Sequence, residues 1–306
     1  MNKSTRVGLI VSACMAVLQM GVAQGASAPD AKGLRVVSDE TATGLKFPES
    51  VAYDPKAKVL YASQFGSELK PAEKDGKGKI AKLSLDGKVL EDQFLPAHGE
   101  TLNKPKGIWV RGDRLWVTDI DAMWVFDLKT RKSRRLALAG MGFANDPAVR
   151  GNELFISDNR NDLLYRVEPA DFLNLKGDPH VTVVFAGKGV NPNGLYPARD
   201  GSLLMVGLAG DKNRGIYSVN KSGEVKALSP EIGKLDGVYQ LKDGTLLVTD
   251  WSTGSLAHWT AKSGMTPLAK GFKGPADFCV IPDAKGYMVF VPDLAKSELR
   301  MIRLAQ

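Results

Sequence analysis

Gly107-Ile108-Trp109-Val110, Arg111-Gly112-Asp113, Leu115-Trp116-Val117-Thr118-Asp119 and Ala122-Met123-Trp124-Val125-Phe126 follow one another almost without interruption. Short apolar runs rich in β-branched and aromatic residues, broken by a tight polar turn, read as three strands joined by short connections. The same grammar returns at Leu154-Phe155-Ile156-Ser157-Asp158 and Leu246-Leu247-Val248-Thr249-Asp250, and more loosely at Leu203–Val206 and Met288–Asp293. Asp86-Gly87, Asp200-Gly201 and Asp243-Gly244 supply hairpin turns, and no segment keeps a helical period.

Aligning these units places their first residues at Glu49, Lys106, Asn145, Asn193, Asp236 and Ala276, about 40–57 residues apart. Each interval suits one four-stranded blade. The long first interval carries a polar insertion, Ser67 to Lys79, expected to be an exposed loop. The last unit runs out of chain after Arg303, and Leu34-Arg35-Val36-Val37 can supply its missing strand. The expected fold is all-β, a single six-bladed β-propeller over residues 29–306, closed by an N-terminal strand that hides the exposed edges.

Residues 1–28 stand apart. Lys3 and Arg6 precede an apolar run from Val7 to about Val22, and small residues end at Ala26-Ser27-Ala28. This is the pattern of a secretory signal peptide, implying a periplasmic or secreted protein. Ser12, Gln19 and Gly21 interrupt the run, which argues against a membrane span. Val11-Ser12-Ala13-Cys14 offers a competing reading, a lipobox with Cys14 as lipid anchor. With the leader removed only Cys279 is left, so no internal disulfide forms; its apolar strand suits a buried small hydrophobe. The formal charge of +7 is spread over turn lysines such as Lys74, Lys77 and Lys79, which reads as a solvated surface and gives no footprint for nucleic acid. Nucleophile-elbow, P-loop, dinucleotide and zinc-protease motifs are absent from the sequence.

In a propeller the first strand of every blade lines the central channel, so the six opening residues face a common axis. Glu49, Asn145, Asn193 and Asp236 would then offer two carboxylates and two amides, hard oxygens that suit Ca2+ or another divalent cation. Four ligands leave room for water or a substrate oxygen. As single turn residues they would mean little, since Asn-Gly and Asp-Gly are common in turns. Asp146 and Asp277, beside channel positions, are candidates for supporting the ligands or touching a substrate. Asp119, Asp158, Asp250 and Asp293 recur after the second strand and are expected to stabilise turns. His98, His180 and His258 open no blade and offer no proton shuttle.

The ordered set Pro48-Glu49-Ser50-Val51, Asn145-Asp146-Pro147-Ala148-Val149, Asn193-Gly194-Leu195 and Asp236-Gly237-Val238 resembles the senescence marker protein/gluconolactonase (regucalcin-like) propellers. Diisopropyl fluorophosphatase and the paraoxonases are cousins of that family. The resemblance runs from about Gly33 to the C-terminus. It implies a calcium at the channel mouth that polarises a lactone carbonyl or phosphoryl group, with attack by an activated water or by Asp236. The chain departs from the paraoxonases by having Lys106 where they carry a histidine, and from the fluorophosphatase by having Tyr239 in place of an acid. Lys106 is either a cation that holds an anionic substrate or a salt-bridged structural lysine. Two functions therefore stand side by side: an exported calcium-dependent lactone or ester hydrolase with a small-molecule substrate, and a non-catalytic NHL-like propeller that binds a ligand or partner protein.

Overall fold

The computed structural model describes residues 33–138 and 140–305. The leader reading and the Cys14 anchor fall outside the described residues. Six four-stranded antiparallel sheets follow in chain order. Blade 1 holds β2 (Pro48–Asp54), β3 (Val59–Gln64), β4 (Lys79–Leu83) and β5 (Val89–Leu95), and blade 2 holds β6 (Pro105–Arg111), β7 (Arg114–Asp119), β8 (Ala122–Asp127) and β9 (Ser133–Ala137). Blade 3 holds β10 (Ala144–Arg150), β11 (Glu153–Asp158), β12 (Leu163–Glu168) and β13 (His180–Ala186), and blade 4 holds β14 (Pro192–Pro197), β15 (Leu203–Gly207), β16 (Ile216–Val219) and β17 (Val225–Ala227). Blade 5 holds β18 (Leu235–Gln240), β19 (Leu246–Asp250), β20 (Ser255–Thr260) and β21 (Gly264–Lys270). Blade 6 holds β22 (Cys279–Asp283), β23 (Gly286–Asp293) and β24 (Glu298–Ala305), and β1 (Arg35–Ala42) completes it.

The closing strand is longer than the sequence indicated: β1 pairs with β24 from Arg35↔Ala305 to Ala42↔Leu299. Asp39 and Arg300 form an ion pair across the seam. His180, which opens no blade, heads the outer strand β13 and is exposed. The polar insertion also departs from a free loop. Its Asp75 binds the fully buried Lys104 ammonium at 2.7 Å, and the Phe65 carbonyl accepts from the same group at 3.0 Å. A buried cation needs such partners, so they fasten the insertion to the inner strand of blade 2.

The core lies between blades. Trp116, Met123 and Val125 of blade 2 pack against Val149, Leu154, Ile156 and Tyr165 of blade 3, and the indole N–H of Trp116 reaches the Ala170 carbonyl at 2.8 Å. Similar clusters join the other neighbours, which is why alternate residues of nearly every inner strand are apolar.

Five inner strands share one irregularity. The register with the second strand slips between Pro48 and Val51, Pro105 and Ile108, Ala144 and Pro147, Pro192 and Leu195, and Leu235 and Val238. Each slip spans an opening residue and the one after it. A bulge frees those residues from the ladder and re-aims their side chains.

Hydroxyls on the second strands hold the bulges in place. Ser63 accepts the Ser50 N–H at 2.9 Å, Ser157 accepts the Asp146 N–H at 2.9 Å, and Thr249 accepts the Gly237 N–H at 2.7 Å. Three hydroxyls also donate to the opening carbonyl of the next blade: Thr118 to Asn145 at 2.5 Å, Ser157 to Asn193 at 2.7 Å, and Thr249 to Ala276 at 3.0 Å. The recurring aspartates pin the approach to the inner strands. Asp119 accepts from the Asn103 and Lys104 amides, Asp158 from Gly142, Asp250 from Lys234, and Asp293 from Lys273 and Gly274. Blade 4 has Val206-Gly207 at these positions, and there Asp162 of blade 3 takes the Val190 and Asn191 amides at 3.0 and 2.6 Å.

Thr249→Val keeps the shape and removes both bonds, leaving a buried donor unpaired. The variant should lose about 1–3 kcal/mol, read as a lower urea midpoint at unchanged slope. An unchanged midpoint would mean the hydroxyl holds nothing.

Candidate metal centre at the channel mouth

Glu49, Asn145, Asn193 and Asp236 lie at the starts of the inner strands β2, β10, β14 and β18, and the charges of Asp236 and Lys106 both act on Glu49. Glu49, Asn145, Asn193 and Asp236 are all buried, at 5 %, 6 %, 1 % and 5 % exposure. Three of them hold a buried oxygen with no hydrogen-bond partner: Glu49 Oε2, Asn193 Oδ1 and Asp236 Oδ1. Such orphans are costly inside a protein and call for a missing partner. Asp236 is oriented by Trp251, whose indole N–H donates to Oδ2 at 2.7 Å and leaves Oδ1 free. Sequence reading missed Trp251; its place directly after Asp250, the aspartate that pins the approach to Asp236, is the signal that could have found it.

The carboxylates crowd one another. Burial, then the charge of Asp236, raises the Glu49 carboxyl well above its usual range, with Lys106 pulling the other way. Burial and Asp277 push Asp236 up to about 8. Burial also lifts Asp277 to about 6, and it raises Asp146 strongly with Asp277 adding to the effect. Desolvation and like charges both disfavour the anion, so this cluster is short of positive charge.

Lys106 does not supply it by contact. Its ammonium donates to the Lys104 carbonyl at 3.2 Å and lies 4.2 Å from the centre of the Phe143 ring. Among the described residues it forms no ion pair with Glu49 or any other carboxylate. Burial lowers it to about 8 even though Glu49 and Asp119 favour its charge. The lysine therefore stands at the mouth without filling the space between the orphan oxygens. Nor do any three His, Cys, Asp or Glu side chains among the described residues group as metal ligands; this set has only two acids, completed by two amides. The residues fit a hard divalent cation on their chemistry.

Beside the mouth lies a depression of about 410 Å3, bordered by Phe143, Asn159, Arg160, Asn191 and Arg214. The Arg160 guanidinium lies 3.9 Å from the Phe143 ring centre, so two cations use that ring.

Asp146 and Asp277 occupy a different level. They follow the opening residues by one position and border a cavity lined by the far halves of the inner strands. Leu195 N–H donates to Asp146 Oδ2, and Ser50 Oγ donates to Asp277 Oδ2, both at 2.6 Å. Cys279 lines the same cavity and is half-buried rather than sealed in the core; desolvation pushes its thiol up, so it is no ready nucleophile. His258 is spent on the Thr245 hydroxyl at 2.7 Å.

No protein-family model and no curated protein sequence matches the chain. Solved structures do. A structural-genomics protein provisionally named gluconolactonase superposes with TM-score 0.66 at 17 % identity, covering 91 % of this chain and 97 % of its own. A streptogramin B lyase gives 0.60 at 13 % identity, covering 87 % and 97 %. A catalytically inactive virginiamycin B lyase from Staphylococcus aureus, with quinupristin, gives 0.58 at 16 % identity, covering 90 % and 100 %. This chain is a six-bladed propeller. At these identities the propeller shares a fold with its neighbours, and its chemistry has to be argued from its own side chains.

Proposed function

We propose that the propeller is an exported, divalent-cation-dependent hydrolase of a lactone or related ester, with calcium held by Glu49, Asn145, Asn193 and Asp236. The observation that carries the reading is the set of orphan oxygens on Glu49, Asn193 and Asp236, buried together with carboxyls whose ionisation burial and like charges oppose and a cation would favour. A bound cation would supply Lewis acidity for an ester carbonyl oxygen. Trp251 fixes Asp236 so that one free oxygen faces the mouth, the posture of a base or nucleophile. The ring of buried backbone bonds keeps the four side chains in place, so little rearrangement opposes reaction. Arg160 lines the depression beside the mouth and would favour a substrate carrying an acidic group. The gluconolactonase-named neighbour fits this reading in fold.

Metal analysis of purified protein should find about one divalent cation per chain. Chelation should abolish lactone hydrolysis, and Asp236→Asn should lower kcat at least ~100-fold while the fold is retained. Full activity after both treatments would remove the hydrolase reading.

A further inference from the structure

The cavity at the opposite end of the channel is a second site that the hydrolase reading leaves unused. Its volume is about 290 Å3, within reach of the size range of small-ligand pockets. The inner strands all start at the metal mouth, and the cavity is lined by residues three or four positions further on, such as Trp109, Tyr196 and Tyr239. At ~3.3 Å per residue these lie roughly 10–13 Å along the channel from the mouth.

Its chemistry is unlike the rest of the molecule. The chain carries a net charge of +7, yet no lysine or arginine lines this cavity, and its only ionisable acids are Asp146 and Asp277. Asp146 is 3 % exposed, and its Oδ1 accepts no hydrogen bond among the described residues, although Oδ2 is held by Leu195. Three aromatic rings stand together beside these acids. Trp109 and Tyr196 have centroids 6.2 Å apart at 57°, and Tyr196 and Tyr239 have centroids 4.8 Å apart at 54°. Arg199, whose charge both tyrosines feel, turns its guanidinium to the Lys242 carbonyl instead of into the cavity. Tilted rings present negative faces, and two buried carboxyl groups short of a positive partner stand beside them; together they suit a cation too greasy to prefer water.

We propose that this far cavity binds a small organic ammonium ion, its charged head between Asp146 and Asp277 and its alkyl groups against Trp109, Tyr196 and Tyr239. Each of those aromatic residues stands three positions after an opening residue, so the six-fold repeat that builds the mouth also builds this cage. The three rings lie about 10 Å along the channel from the mouth, while Asp146 and Asp277 directly follow the opening positions 145 and 276; binding here does not depend on turnover.

Choline and its neutral carbon isostere 3,3-dimethyl-1-butanol are the probes, titrated calorimetrically into the full-length protein with calcium present throughout. Choline should bind, and the alcohol should bind at least about ten-fold more weakly, since only the charge distinguishes them. Tyr239→Leu and Asp277→Asn should each weaken choline binding by about ten-fold or more. Equal binding of both probes, choline binding unmoved by both substitutions, or no choline binding up to about 1 mM would each overturn the proposal. Lactonase activity is not among the readouts, so loss of the hydrolase reading leaves this result interpretable.

Discussion

A chain that begins at Gly44 should unfold at least about 10 °C below one that begins at Gly33, and should aggregate on standing. The difference between them is β1. Its removal deletes the pairing from Arg35↔Ala305 to Ala42↔Leu299 and the Asp39–Arg300 ion pair. It also strips Val36 and Leu34 from the core shared by blades 5 and 6. Several backbone bonds at ~1 kcal/mol each, plus the lost apolar contact, come to roughly 5 kcal/mol. For a chain of this size each kcal/mol moves the midpoint by ~2–4 °C. The bare edge of β24 would then be a template for pairing between molecules. Scanning calorimetry and light scattering on the two chains check this, and coincident melting curves would show that the ring does not need its closure.

The second large effect lies inside the channel. Gly194→Ala would put a methyl carbon 2.0 Å from the Asp236 carbonyl oxygen and 3.0 Å from the Gly237 Cα. Both obstacles are backbone of the next inner strand, held by the Thr249 hydroxyl, so neither can swing aside. Overpacking ordinarily costs ~1–3 kcal/mol, and a clash with fixed backbone belongs at or above the top of that range. Because Asn193 and Asp236 flank the contact, calcium affinity should fall as well. Gly33→Ala meets nothing within 4 Å and serves as the neutral control. Urea denaturation and a calcium titration of the two variants are the measurements; equal midpoints would mean that the blades are less tightly seated than described.

The propeller itself was legible because its strand grammar repeats, and repetition survives divergence in individual residues. The opening residues stood out for the same reason: Glu49, Asn145, Asn193 and Asp236 fall at one point of the unit, and in the fold that point is the start of an inner strand. Partners were harder to read. Asp119, Asp158, Asp250 and Asp293 recur visibly, but only the structure shows that they grip the amides ahead of the inner strands of blades 2, 3, 5 and 6. Lys106 was ambiguous because a flexible side chain takes its direction from neighbours, here Phe143 and the Lys104 carbonyl, that come from two blades. Asp75 looked like part of a solvated loop because its partner, Lys104, lies almost thirty residues away and is itself buried. The aromatic cage escaped notice although Trp109, Tyr196 and Tyr239 share one offset from the opening positions. Tyr239 was read only as a missing acid.

The three hydroxyls that join a second strand to the following blade have a bearing on how an ion would come and go. They fasten Asn145, Asn193 and the segment beyond Asp236 through main-chain groups, leaving the oxygens that face the axis uncommitted. The entropy of gathering those oxygens is spent when the ring closes, not when a cation arrives. Loading and unloading can therefore proceed on a scaffold that keeps its shape, as in a socket whose contacts are rigid before the plug is inserted.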